Sequence, residues 1–509
     1  MANRRRQAVA VAATAVLVGL ALAGFAGCRR QAPVAARRLR LAVREDVLGF
    51  FGSAPLAREA FTLQVNSEIF EGLVRFDRSL VVSPALAQSW ETPDDRTYLF
   101  QLRPGLRFSD GQALTAPDVV ASLLAGRSRA WGTQDALASI ESVRALDERQ
   151  VEIRTQRPDF LLLQGLHWGF VVPREELRRM PMRAIGSGPY RLAAHRAGAF
   201  TLERNAYYRG PAPAFDRADF EVVPDAAERE DRLLRGTADV IDNVPPERVA
   251  ALENDPQVRV YAGPGLRVLF LGLRVDRPPF DDPRVRQALD LALDRSELLA
   301  RARLAPGVVA RQLVPPTVIG SDPTFVPAPP DRARARALLA AAGHGRGLRV
   351  RLDGPRDRYT NGTLILAEVA RQLDLAGFEV EVQLLDKGAF FARIDSGASD
   401  LHLVGWLCRS GQAGDLMEAM LHSRQGPFGA WNSMGLSDPA LDRMIDEAGA
   451  SNSEREWSRK LQAAQRRALE LRALVPLVVQ PEALAFRRSL RWRPSLDYQL
   501  WLEDIEPAT

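Results

Sequence analysis

The side chains best suited to covalent chemistry in this sequence lack the spacing of a known catalytic motif. Ser187 lies in a Gly-Ser-Gly-Pro string, whereas a nucleophile elbow requires Gly-x-Ser-x-Gly. Gly343, Gly345 and Gly347 precede a predicted strand, whereas a dinucleotide fingerprint follows one, so we interpret them as a helix C-cap and a turn. The sequence also lacks a phosphate-binding Gly-x-x-x-x-Gly-Lys loop. These patterns give no support to an enzyme.

Histidine and cysteine spacing likewise gives no support to a metal centre. The histidines of the sequence are His167, His195, His344, His402 and His422. None belongs to a His-x-x-x-His pair, and Cys28 and Cys408 do not form a Cys-x-x-Cys pair, so a zinc site is not indicated. The acidic residues are scattered, as on a solvated surface. We therefore predict no catalytic residue, no metal and no cofactor, and a small buried thiol at Cys408.

From residue 39 onward, short apolar runs alternate with amphipathic stretches, which is the pattern of an α/β protein. A predicted strand at 348–352, a helix at 361–376 and a strand at 379–385 indicate a right-handed crossover and a partly parallel sheet. A second block of elements begins near Leu266. Further predictions are strands at 39–43, 98–103, 219–223, 258–261, 267–275, 401–404, 477–479 and 483–486, a hairpin over 143–155, and helices at 60–73, 115–124, 283–293 and 457–471.

The length and charge of the chain define the class of protein further. Its 509 residues, 46% of them hydrophobic and 26% charged, suffice for two or three packed cores. The formal net charge is only +5, and Arg4, Arg5 and Arg6 at the start of the chain account for part of it. No basic stripe is interleaved with aromatic residues, so we expect no nucleic-acid partner.

Residues 1–28 have the anatomy of a bacterial export signal. Three arginines precede a long apolar stretch, 8–24, which ends in Phe-Ala-Gly-Cys at Cys28. This ending resembles the lipobox of lipoproteins, in which the cysteine becomes the acylated first residue. An uncleaved signal anchor is the alternative, because about 20 apolar residues can cross a bilayer. Either form would hold the protein on the outer face of the membrane, with 29–38 as a polar spacer.

Several strings along the chain resemble, in order, the family 5 extracellular solute-binding proteins of ABC importers, the oligopeptide, dipeptide and nickel group. The most specific is Phe280-Asp-Asp-Pro-Arg-Val-Arg-Gln-Ala-Leu289. The others include Ile69-Phe-Glu-Gly-Leu-Val-Arg-Phe-Asp77, Phe108-Ser-Asp-Gly111, Gly186-Ser-Gly-Pro-Tyr190, Gly236-Thr-Ala-Asp239, Gly405-Trp406 and Leu436-Ser-Asp-Pro-Ala-Leu-Asp442. The resemblance covers residues 39 to 490. Most of these residues are typical of core and turn positions, so they indicate the fold and need not contact ligand.

The resemblance implies an α/β fold of the two-lobe periplasmic-binding-protein type, class II, with mixed sheets and a hinge between the lobes. The implied N-terminal lobe is 39–265, completed by 480–509, and the C-terminal lobe is 266–479. Ligand would bind in the cleft, and closure of the lobes would bury it. The implied partners are a peptide or peptide-like solute and the permease and ATPase subunits of an importer, and we expect a monomer.

The family pattern changes at its most informative position in the cleft. Peptide-binding relatives carry Gly-Trp-x-x-Asp, whose Asp faces the ammonium group of the peptide. Here the segment is Gly405-Trp-Leu-Cys-Arg409, so Arg409 stands at the position of that Asp. If Arg409 faces the cleft, it would repel an ammonium group and favour an anionic or neutral solute. Alternatively, Arg409 turns to solvent and Asp415 takes the place of the missing Asp. Trp406 is expected to stack on ligand or to pack in the core.

Two further segments are candidates for the cleft wall. Phe50 and Phe51 lie in a loop that lines the N-terminal lobe in relatives, where they would form an apolar wall or fill the underside of the loop. Tyr359, with Arg356 and Arg358, precedes a predicted helix and could reach an anionic ligand, unless the segment is a solvated turn. Besides peptide import, the resemblance leaves open a nickel or other metal chelate, an anionic non-peptide solute, and an extracellular sensor.

Overall fold

The computed structural model describes residues 37–47, 49–50, 60–127, 137–179, 182–356, 358–426, 428–451 and 453–508. The predicted export signal, its Cys28 and Phe51 lie outside these residues. Within them, strands and helices alternate as the sequence predicts. No helix in this described part is both long and apolar enough to cross a membrane.

The strands carry the framework of the fold. In chain order they are β1 Arg38–Val43, β2 Val74–Phe76, β3 Val82–Pro84, β4 Ala87–Glu91, β5 Thr97–Leu102, β6 Ile140–Ala145, β7 Gln150–Thr155, β8 Tyr190–Arg196, β9 Ala199–Arg204 and β10 Arg217–Val222. They continue as β11 Val240–Ile241, β12 Val258–Leu273, β13 Val308–Val309, β14 Leu348–Pro355, β15 Phe378–Leu385, β16 Leu401–Leu407, β17 Leu474–Arg487, β18 Leu490–Trp492 and β19 Ile505–Pro507.

The helices cover the faces of the sheets. They are α1 Ala60–Ile69, α2 Ala116–Gly126, α3 Leu162–His167, α4 Ala226–Leu234, α5 Pro246–Glu253, α6 Pro283–Ala292, α7 Arg295–Arg301, α8 Arg332–Ala341, α9 Gly362–Asp374, α10 Lys387–Asp395, α11 Gly414–Leu416, α12 Pro439–Gly449 and α13 Glu454–Leu471. The chain also has 3-10 turns at Glu176–Arg178 and Leu502–Asp504 and a π-helical turn at Met417–Leu421.

One large mixed sheet runs through the molecule. Its strand order is β15-β14-β16-β12-β17-β11-β1-β10-β9-β8, with β13 paired to β17. The pairs β14–β15 and β1–β10 are parallel, whereas β12 is antiparallel to both of its neighbours. The predicted strand–helix–strand unit over 348–385 therefore forms a parallel pair, which confirms the prediction of a partly parallel sheet.

Strands β12 and β17 are longer than the sequence predicts. The predicted pairs of strands, 258–261 with 267–275 and 477–479 with 483–486, are each one continuous strand. Glycine and proline at 263–265 suggest a break in the strand. The ladder of paired residues between β12 and β17 nevertheless continues on both sides, with a register shift between Pro264 and Val268. The ladder therefore overrides the local turn signal, and the irregularity remains as a bulge.

The buried apolar residues separate into groups on either side of this register shift. Three clusters draw on 39–258 and 483–505, and we call this part the first lobe. Two clusters draw almost wholly on 266–479, which we call the second lobe. The two long strands run through both parts, so a pair of strands connects two separately packed cores.

Local capping explains several helix ends. The side chain of Asp282 accepts a hydrogen bond from the Arg284 N–H ahead of Pro283, the N-cap and first-turn proline that the sequence predicts for α6. Helix α1 is shorter than predicted, because the chain leaves the helix after Ile69, where the Gly188 N–H donates to the Ile69 carbonyl. A Cβ at Gly188 would lie 2.6 Å from the Glu68 carbonyl oxygen, so this close approach requires glycine.

The lobes also meet along an edge away from the long strands. The Arg157 Nη1 lies 3.1 Å from Asp446 Oδ1, and its guanidinium carbon lies 4.2 Å from the centre of the Phe428 ring. The Phe160 ring is 4.6 Å from that of Trp457, centre to centre. We call these contacts the interlobe edge. Each polar or aromatic group in it has a partner on the other lobe.

Candidate ligand-binding cleft

The cleft begins where the two long strands show their register shift. Arg267 lies in β12 and Glu482 lies in β17, both next to this shift. Burial lowers the pKa of Arg267, and the neighbouring charge of Arg358 lowers it further, against the attraction of Glu482 and Glu45. Burial raises the pKa of Glu482 to about 7, although Arg267 opposes the shift. Charges of both signs therefore meet at the junction of the lobes.

The first-lobe wall is built at the carboxyl ends of parallel strands. Strands β1 and β11 are parallel, so Arg44 and Glu45, after β1, come beside Asp242, after β11. The Arg44 N–H donates to Asp242 Oδ1 over 2.8 Å. Burial raises the pKa of Asp242, with Arg229 as its nearest compensating charge. This wall carries a partly buried acidic group close to Glu482.

The second-lobe wall follows the same principle. Strands β14 and β16 are parallel, and their carboxyl ends bring Arg358 and Tyr359 beside Gly405. The Gly405 N–H donates to the Tyr359 hydroxyl over 2.9 Å, and the Tyr359 ring is buried in the second-lobe core. The Arg358 guanidinium lies over the rings of Tyr359 and Phe391, 5.6 and 4.9 Å from their centres. Tyr359 thus supports the wall and orients its arginine.

Trp406, Arg409 and Asp415 lie together beyond β16. Asp415 accepts hydrogen bonds from the Ser410 hydroxyl over 2.8 Å and from the Leu416 N–H over 2.7 Å. Burial raises the pKa of Asp415 to about 6, while Arg409 holds it down. Arg409 also lowers the pKa of Asp497 in the first lobe, which burial raises. The sequence analysis offered Arg409 and Asp415 as alternative residues facing the cleft, whereas in the structure the two are neighbours.

The remaining predicted residues are placed as follows. Trp406 is half-buried, and its side chain lies beside Asp415, whose pKa its hydrogen bonding helps to lower. The Phe50 ring is edge-on to His195 at 5.2 Å and to Phe200 at 6.4 Å, so it packs on the first-lobe core, beneath its loop. Phe51 lies outside the described residues. Cys408 is fully buried and free, which confirms the prediction of a buried thiol.

His402 in β16 and His422 after the π-helical turn have structural partners. His402 is fully buried, its Nε2 lies 3.1 Å from the Ser433 hydroxyl, and burial lowers its pKa to about 4. His422 is buried, with Nδ1 2.8 Å from the Ser423 carbonyl oxygen. Among the described residues, no group of three or more histidine, cysteine or acidic side chains is arranged to hold a metal ion.

A separate cavity of about 330 Å³ lies inside the first lobe. Its polar side chains pair with each other, since Arg75 lies 3.1 Å from Glu503 Oε1 and the Tyr208 hydroxyl lies 3.3 Å from Glu503 Oε2. Burial raises the pKa of Glu71 in its wall to about 7. His167 also lines this cavity, and its Nε2 is buried without a hydrogen-bond partner among the described residues.

The sequence analysis missed Arg267, Glu482 and Asp242. The first two carried no clear local signal, because Arg267 is the first residue of the predicted strand 267–275, which also holds Arg274, and Glu482 lies between the predicted strands 477–479 and 483–486. Asp242 carried no signal either, since it follows a strand of only two residues. Its position depends on the pairing of β11 with β1, some 200 residues earlier in the chain.

Comparison with known proteins gives one family. The model of the bacterial extracellular solute-binding proteins, family 5, middle region, matches residues 81–428. The glutathione-binding protein GsiB of Escherichia coli O1:K1 / APEC is 25% identical over 492 residues, which are 93% of this chain and 94% of that protein.

Solved structures share the fold over nearly the whole chain. The binding protein AgaA of A. tumefaciens R10, in complex with agropinic acid, has a TM-score of 0.80 at 23% identity, covering 93% of this chain and 99% of that one. A dipeptide-binding protein of Pseudoalteromonas sp. SM9913, in complex with Met-Leu, has a TM-score of 0.81 at 18% identity, with 93% and 100% covered. NikA of Brucella suis, in complex with Fe(III)-EDTA, has a TM-score of 0.81 at 21% identity, with 92% and 100% covered.

Proposed function

Because the chain belongs to family 5 of the bacterial extracellular solute-binding proteins, components of ABC importers, we propose that it binds peptides or peptide-like solutes between its lobes and delivers them to a permease. The observation that carries the proposal is the meeting of charges from both lobes at Arg267 and Glu482. A peptide carries charges of both signs, and the cleft offers partners for both.

The proposed mechanism is capture by closure. Contacts from both walls are complete only when the lobes are together, so a bound solute favours the closed form. We place the hinge at the register shift in β12 and the facing part of β17. The lobe boundaries that follow are 39–265, completed by 480–509, and 266–479. The protein is a transport component that binds its solute without chemical change, as its family does.

Among the predicted residues, we propose that Trp406, Arg409 and Asp415 contact solute. Their grouping supports this role, because Trp406 and Arg409 both lower the pKa of the partly buried Asp415 and so lie beside it at the end of β16. For Tyr359 and Phe50 we propose supporting roles, since both rings pack on the core of their own lobe. The role of Phe51 stays a prediction.

The proposed cellular setting is the periplasmic side of the envelope, where proteins of this family act. We propose that Cys28 is acylated after cleavage and that the protein works as a monomer. Incubation of cells with radiolabelled palmitate, followed by purification, tests the anchor. Label on the wild type but not on Cys28→Ser is expected, and equal label on both would contradict it.

Solute binding is tested on the full chain purified in mild detergent. Native mass spectrometry of the fresh protein is expected to reveal a copurified small molecule, which identifies the solute. Small-angle scattering before and after refilling with that solute is expected to show a smaller radius of gyration on binding. A chain that binds no solute, or one that converts its solute into a product, would contradict the proposal.

A further inference from the structure

The cavity of about 330 Å³ in the first lobe plays no part in the proposed capture of solute between the lobes. All the residues that line it belong to the first lobe, and it lies where the apolar cluster of Phe70 and Phe170 meets the cluster of Val74. Small-molecule sites start at about 300 Å³ and occur preferentially where separately packed units meet. Asp77 and Ser79 in the wall are exposed, so the cavity reaches the surface. We call it the first-lobe cavity.

One buried nitrogen in the wall of the first-lobe cavity lacks a partner. His167 is 4% exposed, and its Nε2 has no hydrogen-bond partner among the described residues. Burial and the charge of Arg75 lower the pKa of His167 to about 3, so the ring is neutral at neutral pH. A hydrogen bond with the Val74 backbone raises this pKa, which is the effect of a ring N–H that donates to a carbonyl. Nε2 is then the nitrogen with the free lone pair, and it requires a donor.

Glu71 brings a negative charge to the same cavity. Among the described residues it accepts a hydrogen bond from Ser187 but forms no ion pair, because Arg75 contacts Glu503 instead. Burial raises the pKa of Glu71 to about 7, against the attraction of Arg75 and Arg103. A partly buried carboxylate of this kind is stabilised by a cation in contact with it.

Backbone contacts fix the positions from which these two side chains start. The Val171 N–H donates to the Glu71 carbonyl oxygen over 2.9 Å. A Cβ at Gly72 would lie 2.2 Å from the Leu166 carbonyl oxygen and 2.8 Å from that of His167. The segment that carries Glu71 therefore runs directly against the end of α3, which carries His167. The carboxylate and the imidazole are held on adjacent, packed segments of backbone.

The rest of the wall is acidic and aromatic. Its acidic residues outnumber its arginines, with Glu71, Asp77, Glu503 and Asp504 against Arg75 and Arg78. Its aromatic residues, besides His167, are Phe70, Phe76, Phe170, Tyr208 and Trp501. Aromatic rings attract cations through their faces and also pack on apolar groups. In the described part of the chain, no histidine, cysteine and acidic side chains are grouped to hold a metal ion, so the wall is better suited to an organic cation.

We propose that the first-lobe cavity binds a small primary ammonium compound with an apolar or aromatic body, whose N–H groups donate to His167 Nε2 and to the Glu71 carboxylate. The ammonium group supplies the donor that the imidazole lacks and the positive charge that the carboxylate lacks. The aromatic wall accommodates the body of the compound. The site lies apart from the interlobe cleft, so the inference goes beyond the proposed function and does not depend on it.

The test is calorimetric titration of the full chain in mild detergent at about pH 8, where a primary amine carries its proton and Glu71 is largely ionised. The probes are phenethylamine and phenethyl alcohol, which have the same number of non-hydrogen atoms and differ in charge. Glu71→Gln removes the charge of the carboxylate, and His167→Phe removes the acceptor but keeps an aromatic ring. Glu175→Gln is the matched control, because the Glu175 side chain is 61% exposed and lies outside the cavity.

The wild type is expected to bind the amine about 10- to 100-fold more tightly than the alcohol, as for hydrogen bonds with a charged group. Glu71→Gln should lose most of this preference, and His167→Phe should weaken amine binding by about 3- to 10-fold, as for one hydrogen bond. Glu175→Gln should bind as the wild type does. Equal affinity of the wild type for both probes, no binding of the amine, or unchanged amine binding in both cavity variants overturns the inference.

A crystal structure of the wild type with phenethylamine locates the site without any substitution. The ammonium group is expected within hydrogen-bond distance of His167 Nε2, and an amine found only in the interlobe cleft overturns the inference. Circular dichroism checks the folding of each variant, so that lost affinity is read only from folded protein. Capture of solute between the lobes is measured separately, by the copurified molecule, so failure of the amine site leaves the proposed function standing.

Discussion

Two of the places where the lobes meet differ in how their polar groups are used. At the interlobe edge, Arg157 pairs with Asp446 and lies over Phe428, and Phe160 stacks on Trp457. In the cleft, Arg267 and Glu482 attract each other electrostatically, but neither side chain forms a hydrogen bond or an ion pair with a described residue. Satisfied contacts join the protein to itself, whereas unsatisfied ones are available to a ligand.

This difference indicates that the interlobe edge contributes to the stability of the fold and that the cleft contributes to ligand binding. A buried charge without a partner lowers the stability of the folded protein, and its retention is understandable where a ligand completes it. Substitutions at the edge should therefore destabilise the fold, whereas substitutions in the cleft should reduce binding and leave stability unchanged or higher. The predictions below test this division.

The largest change in stability is expected for Trp457→Ala at the interlobe edge. Trp457 is 1% exposed and packs in the second-lobe core, so its truncation should lower the free energy of unfolding by about 3–5 kcal/mol. Urea denaturation followed by circular dichroism measures the change. Trp431→Ala is the control, because Trp431 is 36% exposed and should lose far less. Equal losses for the two variants would show that burial at the edge does not govern stability.

The second effect is a pH dependence from the cleft, because the folded protein raises the pKa of Glu482 from 4.5 to about 7. Between these values the folded state keeps a proton that the unfolded state releases, so stability should fall as pH rises from about 4.5 to about 7. Glu482→Gln should make the slope of the unfolding free energy against pH less steep in this range, by an amount that corresponds to at most about one bound proton per molecule. Unfolding free energies measured across this range in both proteins provide the check, and identical slopes would contradict it.

The third prediction concerns the unpaired cation itself. Arg267→Met keeps much of the side-chain volume but removes a charge that no described residue neutralises by contact, so the free energy of unfolding should rise by about 1 kcal/mol. Thermal and urea unfolding of the ligand-free protein measure it. A clear loss of stability would mean that Arg267 has a structural partner and would weaken its assignment to ligand.

The smallest effect is expected for the exposed ion pair at the edge. The side chains of Arg157 and Asp446 are 43% and 46% exposed, so their coupling should be about 0.2–1 kcal/mol and should decrease with salt. A double-mutant cycle with Arg157→Ala and Asp446→Ala at low and high salt gives this energy. A coupling above this range, insensitive to salt, would mean that the edge is more deeply buried than its exposure indicates.

Sequence patterns predicted much of the fold because they are local. Apolar periodicity gave the strand–helix–strand unit over 348–385, and the hairpin over 143–155 is present as β6 and β7. The continuity of β12 and β17 was missed, because Gly263 and Pro264 carry turn signals that only the ladder between distant strands can override.

The cleft was harder to predict, since it is assembled from segments far apart in the chain. Asp415 and Arg409 were identified from a family pattern, but their proximity depends on the turn after β16. The approach of Arg267 to Arg358 depends on the order of strands in the sheet, which single-sequence patterns do not specify.

The central claim is that solute is held between the lobes at the hinge end of the cleft. A crystal structure of the full chain with its copurified solute tests this most directly. The account predicts solute in contact with both lobes, next to Arg267 and Glu482. Solute bound on one lobe alone, or bound away from these two residues, would contradict the account.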